Sequence, residues 1–232
     1  MGLTIHYELS VEKRLAGAAV RELVKRTALY AKKIGCAEVS EVMPVQADTP
    51  GTFWYVQLER HGERYVRSIP AQRGWVADVW PGEGCESALF GLCQYPHSTP
   101  HVPFDVSTGA GSGWVLKGYC KTQYAHEHGW EHFLRCHKTI ISILDFWRQL
   151  GVTVKVSDEG EYWPTRSETK LREILNRYDG LMAVVAGAFK DAADKTGKGH
   201  SVEAPILARM DFERLEAEGC REFGSRIKES RK

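Results

Sequence analysis

Between Trp130 and Trp147 the large side chains recur at helical spacing. Trp130, Phe133, Leu134, Ile140, Ile141, Leu144 and Trp147 fall on one face, with His137 set among them. An apolar stripe of this length must be buried against a second layer, and the flanking sequence supplies strands for it. Leu3, Ile5, Tyr7 and Leu9 alternate with polar residues, the period-two pattern of a half-buried strand. Three aromatic-rich strands are expected near Phe53 to Glu59, Tyr65 to Ile69 and Trp75 to Trp80, the first two joined at His61-Gly62. Trp114 to Cys120 and Val152 to Val156 read as two more, and Val39 to Val45 as extended chain. The order of strand, helix and then a run of strands predicts an α+β fold, mainly an antiparallel mixed sheet with helices packed on it.

The remaining helices are read from caps and breakers. Ser10 is placed to cap a first helix, with Glu12 near its positive end and Leu15, Ala19, Leu23, Leu29 and Ile34 as its core face, ended by Gly35. Gly151 ends the helix that carries His137, and Ser157 to Gly160 is a turn. Thr165 and Glu168 fit a capping box that opens a long helix with Leu171, Ile174, Tyr178, Leu181, Val185 and Phe189 inward. Gly197-Lys198-Gly199 breaks it, and a last helix starts near Asp211. The segment 81–113, rich in Gly, Pro and Ser, reads as a long loop, functional or mobile. The chain is therefore expected as a single domain over 1–232, or as two α/β lobes joined within 81–113.

Composition narrows the function classes. The 31 basic and 30 acidic residues nearly cancel, which argues against a dedicated nucleic-acid binder. The basic run from Arg226 to Lys232 is read as a solvated tail. No apolar run approaches the roughly 20 residues of a membrane span, and the opening residues lack a signal-peptide pattern. Cys36, Cys85, Cys93, Cys120, Cys136 and Cys220 form no CxxC pair and are too scattered for a disulfide framework. A cytoplasmic protein with free thiols is the expectation.

Chemistry concentrates between Cys85 and His137, which holds six of the nine histidines and four of the six cysteines. His137 lies on the apolar stripe, where a buried imidazole must either satisfy both nitrogens or face a pocket. Lys121 leaves a strand end, and Asp158 and Glu159 follow the strand after the histidine helix. Together with His137 they are the candidate acid–base residues. The helix and the strand are short enough to return Asp158 to the level of His137. Cys85, Glu86, Gln123 and Tyr124 are candidate ligand-binding residues at the same strand ends, and Cys85 is also a candidate nucleophile. His128-Gly129-Trp130-Glu131-His132 matches H-x-x-E-H, so His128 and His132, with Cys136 one turn on, are candidate zinc ligands. The competing reading is a pair of exposed histidines at a helix start.

The strings Trp80-Pro81-Gly82-Glu83-Gly84-Cys85-Glu86, Cys120-Lys121-Thr122-Gln123-Tyr124-Ala125, Phe133-Leu134-Arg135-Cys136-His137 and Ser157-Asp158-Glu159-Gly160 resemble a bacterial protein family of similar length. The opening Thr4-Ile5-His6-Tyr7 is similar too, so the resemblance spans most of the chain. It implies a bacterial source and no particular activity, and it leaves out His128 to His132. Three functions stay open: an enzyme using acid–base or hydrolytic chemistry on a small polar substrate, a non-catalytic small-molecule-binding or protein-interaction module, and a zinc-dependent hydrolase.

Overall fold

The computed structural model describes residues 3–11, 15–60, 62–101, 104–111, 113–196 and 204–229. Glu12, His61, Ser112, residues 197–199 and residues 230–232 lie outside these, and with them the expected features that rest on them. Contacts divide the chain into two compact units, Met1–Glu159 and Gly160–Lys232.

The first unit is built on an antiparallel sheet. Its elements are β1 (Thr4–Val11), α1 (Gly17–Lys33), β2 (Glu38–Val39), β3 (Met43–Pro44), β4 (Trp54–Arg60), β5 (Glu63–Ile69), β6 (Arg73–Trp80), β7 (Ala88–Gln94), β8 (Ser98–Thr99), β9 (Val106–Ser107), β10 (Trp114–Lys121), α2 (Trp130–Gln149) and β11 (Thr153–Asp158). The strand order is β11-β1-β10-β7-β6-β2, with β3 also on β6. Among the described residues every pairing is antiparallel, so the fold is α+β without a parallel component.

β1 is the central strand of the half that matters here. Its inward residues Ile5, Tyr7, Leu9 and Val11 are buried, and α1 and α2 belong to the same core. The apolar stripe of α2 is buried as its spacing predicts, with Phe133, Ile140, Leu144 and Trp147 all at zero exposure. On the sheet's other side the β4–β5 hairpin buries Trp54, Val56 and Leu58 in a cluster with Val76, Cys93 and Val115. That hairpin covers only part of the outer face.

In the first unit, four expectations need correction. Ser10 does not cap a helix: it pairs with Val115 and Thr153 in the sheet, and α1 starts only at Gly17, without a side-chain cap. The buried face of α1 is Val20, Val24, Thr27, Ala28 and Ala31, while Leu29 is 57% exposed. Small side chains there let the helix sit close, which a reading weighted to leucines misses. The segment 81–113 is no continuous loop, because it holds β7, paired with β6 and β10 inside the first unit. The expected extended run Val39 to Val45 is only the two short pieces β2 and β3.

The second unit holds α3 (Tyr162–Thr165), α4 (Glu168–Thr196) and α5 (Phe212–Glu229), with no strand among its described residues. Ser167, not Thr165, caps α4: its Oγ accepts from the Lys170 amide at 3.2 Å. The inward residues of α4 are Leu171, Leu175, Asp179, Ala183, Val184 and Ala186, and Phe189 is 63% exposed. Gly180 and Gly219 let α4 and α5 approach, since a Cβ on Gly219 would meet the Gly180 carbonyl oxygen at 2.2 Å. No helix among the described residues is long and apolar enough to cross a membrane.

Candidate functional site

Three places in the first unit carry chemistry, two along α2 on the inner face of the sheet and one on its outer face. The first is His137, in the middle of α2. The register puts Ile5 opposite both Asp158 and Cys120, so Asp158 points to the inner face where α2 packs. His137 Nε2 lies 3.3 Å from Asp158 Oδ2, and both side chains have zero exposure. The carboxylate only accepts, so Nε2 carries the hydrogen, and Nδ1 meets the Thr122 hydroxyl at 2.9 Å. Thr122, His137 and Asp158 thus form a hydroxyl–imidazole–carboxylate chain, with Thr122 buried as well.

The other two expected acid–base residues are placed differently. Lys121 lies against Tyr124, its Nζ 3.5 Å from the phenol oxygen and 4.8 Å from the ring centroid. Glu159 is exposed, and its Oε2 accepts from the Thr4 amide at 2.9 Å, tying down the start of β1. The four residues do not gather around an open pocket. The structure brings His137 and Asp158 together, and separates from them the lysine and the second carboxylate.

The second place is the N-terminal half of α2 under the 81–86 loop. Cys136 is buried, its sulfur 3.6 Å from His132 Nε2 and 3.7 Å from the Pro81 carbonyl oxygen. Cys85 is half-buried in the loop above. The Cys85 thiol, followed by His132 and the Arg135 guanidinium, acts on Cys136 against its burial and brings it down to about 6. The same pairing, with burial, pushes Cys85 well up. Cys36 and Cys120 lie near enough to feel Cys136, and burial raises Cys36 to about 11.

The zinc set is not assembled there. Gly129 has φ +96° and ψ 161°, so His128 sits in a short 3-10 turn (Gln123–His128) before α2 and not on it. Arg135 Nη2, a donor only, lies 3.0 Å from His132 Nδ1, so that nitrogen accepts. Nε2 then carries the hydrogen and donates to the Glu83 carbonyl at 2.9 Å, which leaves no lone pair for a metal. Among the described residues no group of three or more His, Cys, Asp and Glu is arranged to hold a metal ion. Glu86 is exposed and contributes its backbone: its amide donates to the Lys121 carbonyl at 2.9 Å, and its carbonyl accepts from the Cys120 thiol at 3.1 Å. Gln123 is buried with its side-chain oxygen unpartnered, and Tyr124 is 44% exposed.

The third place was not expected from the sequence. Where the β4–β5 hairpin stops covering the outer face, a cleft of about 650 Å³ opens over β1, β10 and β11. Its floor is the outward register of those strands: His6, Tyr119 and Ser157 in one row, and Glu8, Lys117 and Lys155 in the next. Phe53 and Tyr55 wall it. Glu8 sits between the lysines, 3.0 Å from Lys155 and 3.7 Å from Lys117, and the Lys117 ammonium lies 4.1 Å from the Trp54 ring centroid. The signal was the polar half of each strand's alternation, which becomes a site only once strand order stacks three such halves. Comparison of the chain with models of known protein families, with curated proteins and with solved structures finds no match.

Proposed function

We propose that the chain is a small-molecule-binding protein whose ligand is a compact anion bearing a flat apolar group, held in the outer-face cleft. The observation that carries this reading is a cleft of about 650 Å³ with two lysines and one carboxylate on its floor, beside exposed tyrosines. That volume lies within the roughly 300–1,000 Å³ of ordinary ligand pockets. Two ammonium groups against one carboxylate leave a positive balance, so an incoming anion finds a partner already positioned. Tyr55 and Tyr119, 67% and 55% exposed, offer ring faces to a planar group.

A binding role is favoured over acid–base catalysis by the placement of the histidine. The imidazole in the chain is paired and closed to solvent, so it has no surface on which to meet a substrate. The cleft, by contrast, is reachable.

Titration of the isotopically labelled protein with benzoate and phenyl phosphate tests this. Saturable shifts at His6, Tyr55 and Tyr119 are expected, weakened about tenfold or more in Lys117→Ala/Lys155→Ala, the loss of one or two charge-assisted hydrogen bonds. Equal response to uncharged benzyl alcohol, or shifts confined to other surfaces, defeats the proposal.

A further inference from the structure

The floor of the outer-face cleft is two polar ridges with a trough between them. One ridge is His6, Tyr119 and Ser157, directly opposite one another across β1, β10 and β11. The other is Glu8, Lys117 and Lys155, two positions along the same strands. The residues between, Tyr7, Gly118 and Val156, belong to the inward register, so the trough is floored by backbone. A Cβ on Gly118 would meet the Tyr7 ring on the inner face, so no side chain rises into the trough there. The ridges differ in chemistry. Glu8 holds both ammonium groups and is the most covered of its row, 24% exposed against 58% for Lys117 and 71% for Lys155, so a ligand meets the lysines. In the other row the His6 and Tyr119 rings stand side by side, 6.1 Å between centroids. Among the described residues no hydrogen bond ties the side chains of His6, Tyr119 and Ser157, so all three present donor and acceptor capacity to the cleft.

We propose that the ligand is a para-hydroxylated aromatic acid, its carboxylate held by Lys117 and Lys155 and its hydroxyl received by the ridge of His6, Tyr119 and Ser157. The proposal rests on the cleft being a ligand site and adds which ligand it takes. Two residues of antiparallel strand set the ridges about 7 Å apart, and side chains stand roughly perpendicular to the sheet, so the spacing carries up to the level of the ligand. That is the reach across a benzene ring from a carboxylate to a para substituent. Hydroxyls at the ortho and meta positions fall short of the second ridge and end over the trough. An acid without a second polar group turns its apolar end to the ridge, whose groups then lose water and gain no partner. A phenolic hydroxyl both donates and accepts, which suits an imidazole and two hydroxyls. Phe53 and Tyr55, on the wall, meet the ring between. Length and hydrogen bonding thus select among acids of equal charge, which the lysines alone do not.

The test titrates the full, isotopically labelled chain with benzoate, 4-methylbenzoate, 4-hydroxybenzoate and 2-hydroxybenzoate. 4-Hydroxybenzoate should bind about fivefold tighter than benzoate or 4-methylbenzoate, the worth of one net hydrogen bond, and 2-hydroxybenzoate should show no such gain. In His6→Ala/Tyr119→Phe/Ser157→Ala, checked for native circular dichroism, the preference for the para hydroxyl over benzoate should be lost. Should that variant fail to fold, the isomer series on the unaltered chain and Tyr119→Phe alone decide the same point. Absence of binding by all four acids defeats the cleft reading and this proposal with it. Benzoate binding as tightly as 4-hydroxybenzoate, an equal gain from the ortho hydroxyl, or a preference that survives the triple variant overturns this proposal and leaves the cleft reading standing.

Discussion

Replacing His137 by leucine separates a structural imidazole from a catalytic one. The substitution keeps an apolar side chain on α2 but removes the Nε2–H donor 3.3 Å from Asp158, both groups being fully buried. Removing the imidazole donor to a buried carboxylate costs about 2–3 kcal/mol, because the hydrogen bond is lost while the carboxylate stays in place. Asp158→Asn is milder, since an amide oxygen still accepts from Nε2; the loss is about 1 kcal/mol, the difference between a charged and a neutral hydrogen bond. The double variant His137→Leu/Asp158→Leu removes both polar groups and should recover about 2 kcal/mol or more over His137→Leu alone. In a unit of this size the single leucine variant should melt about 10 °C below the parent. Urea unfolding followed by tryptophan fluorescence reads all three, with Trp147 on the same helix as a reporter. A His137→Leu variant within about 1 kcal/mol of the parent, or a double variant no better than the single, refutes the reasoning. It would mean that solvent reaches the pair, and the acid–base reading would regain its surface.

Further substitutions probe the same core and the buried thiol. Gly118→Ala places a Cβ 2.5 Å from the Tyr7 ring, which cannot move aside because it stacks on Phe90 at 5.0 Å and donates to the Leu89 carbonyl; a loss of about 1–3 kcal/mol in chemical denaturation is expected. Thiolate absorbance near 240 nm should rise with a midpoint about 6 and vanish in Cys136→Ser, and Cys85→Ala should move that midpoint up more than Arg135→Gln, since the Cys85 thiol is the larger cause. Because the folded thiol is the more acidic, its contribution to stability is complete above the ordinary value of 9.0 and is lost as pH falls through about 6.

β1, with one covered face, was legible, and β7, covered on both, was not. β1 alternates because one face meets the helices and the other meets solvent. β7 reads Ala-Leu-Phe-Gly-Leu-Cys-Gln, almost wholly buried between β6 and β10, so it has no alternation to detect and its Gly and Pro neighbours disguised it. In α1 and α4 the helix was legible but its phase was not. Alanine, valine and threonine face inward in α1, and α4 turns Ala183, Val184 and Ala186 inward after Leu171 and Leu175, while Leu29 and Phe189 stay out.

The site divides along the same line. His137 stood out as a polar residue on an apolar stripe, and chain geometry alone carries Asp158 back to its level. Its third partner, Thr122, needed the position of the turn after β10. Lys121 was misjudged by a single strand position: successive residues point to opposite faces, so Cys120 goes inward toward the core while Lys121 goes outward to Tyr124. That alternation also sets the two surfaces of the central strands apart. Ile5 and Tyr7 face the sealed interior with Asp158, and His6 and Glu8, their immediate neighbours, floor the open cleft. A period of two thus puts a buried carboxylate and a solvent-facing cleft on the same three strands. The residues that secure the fold and those that face the cleft are therefore interleaved one by one along β1.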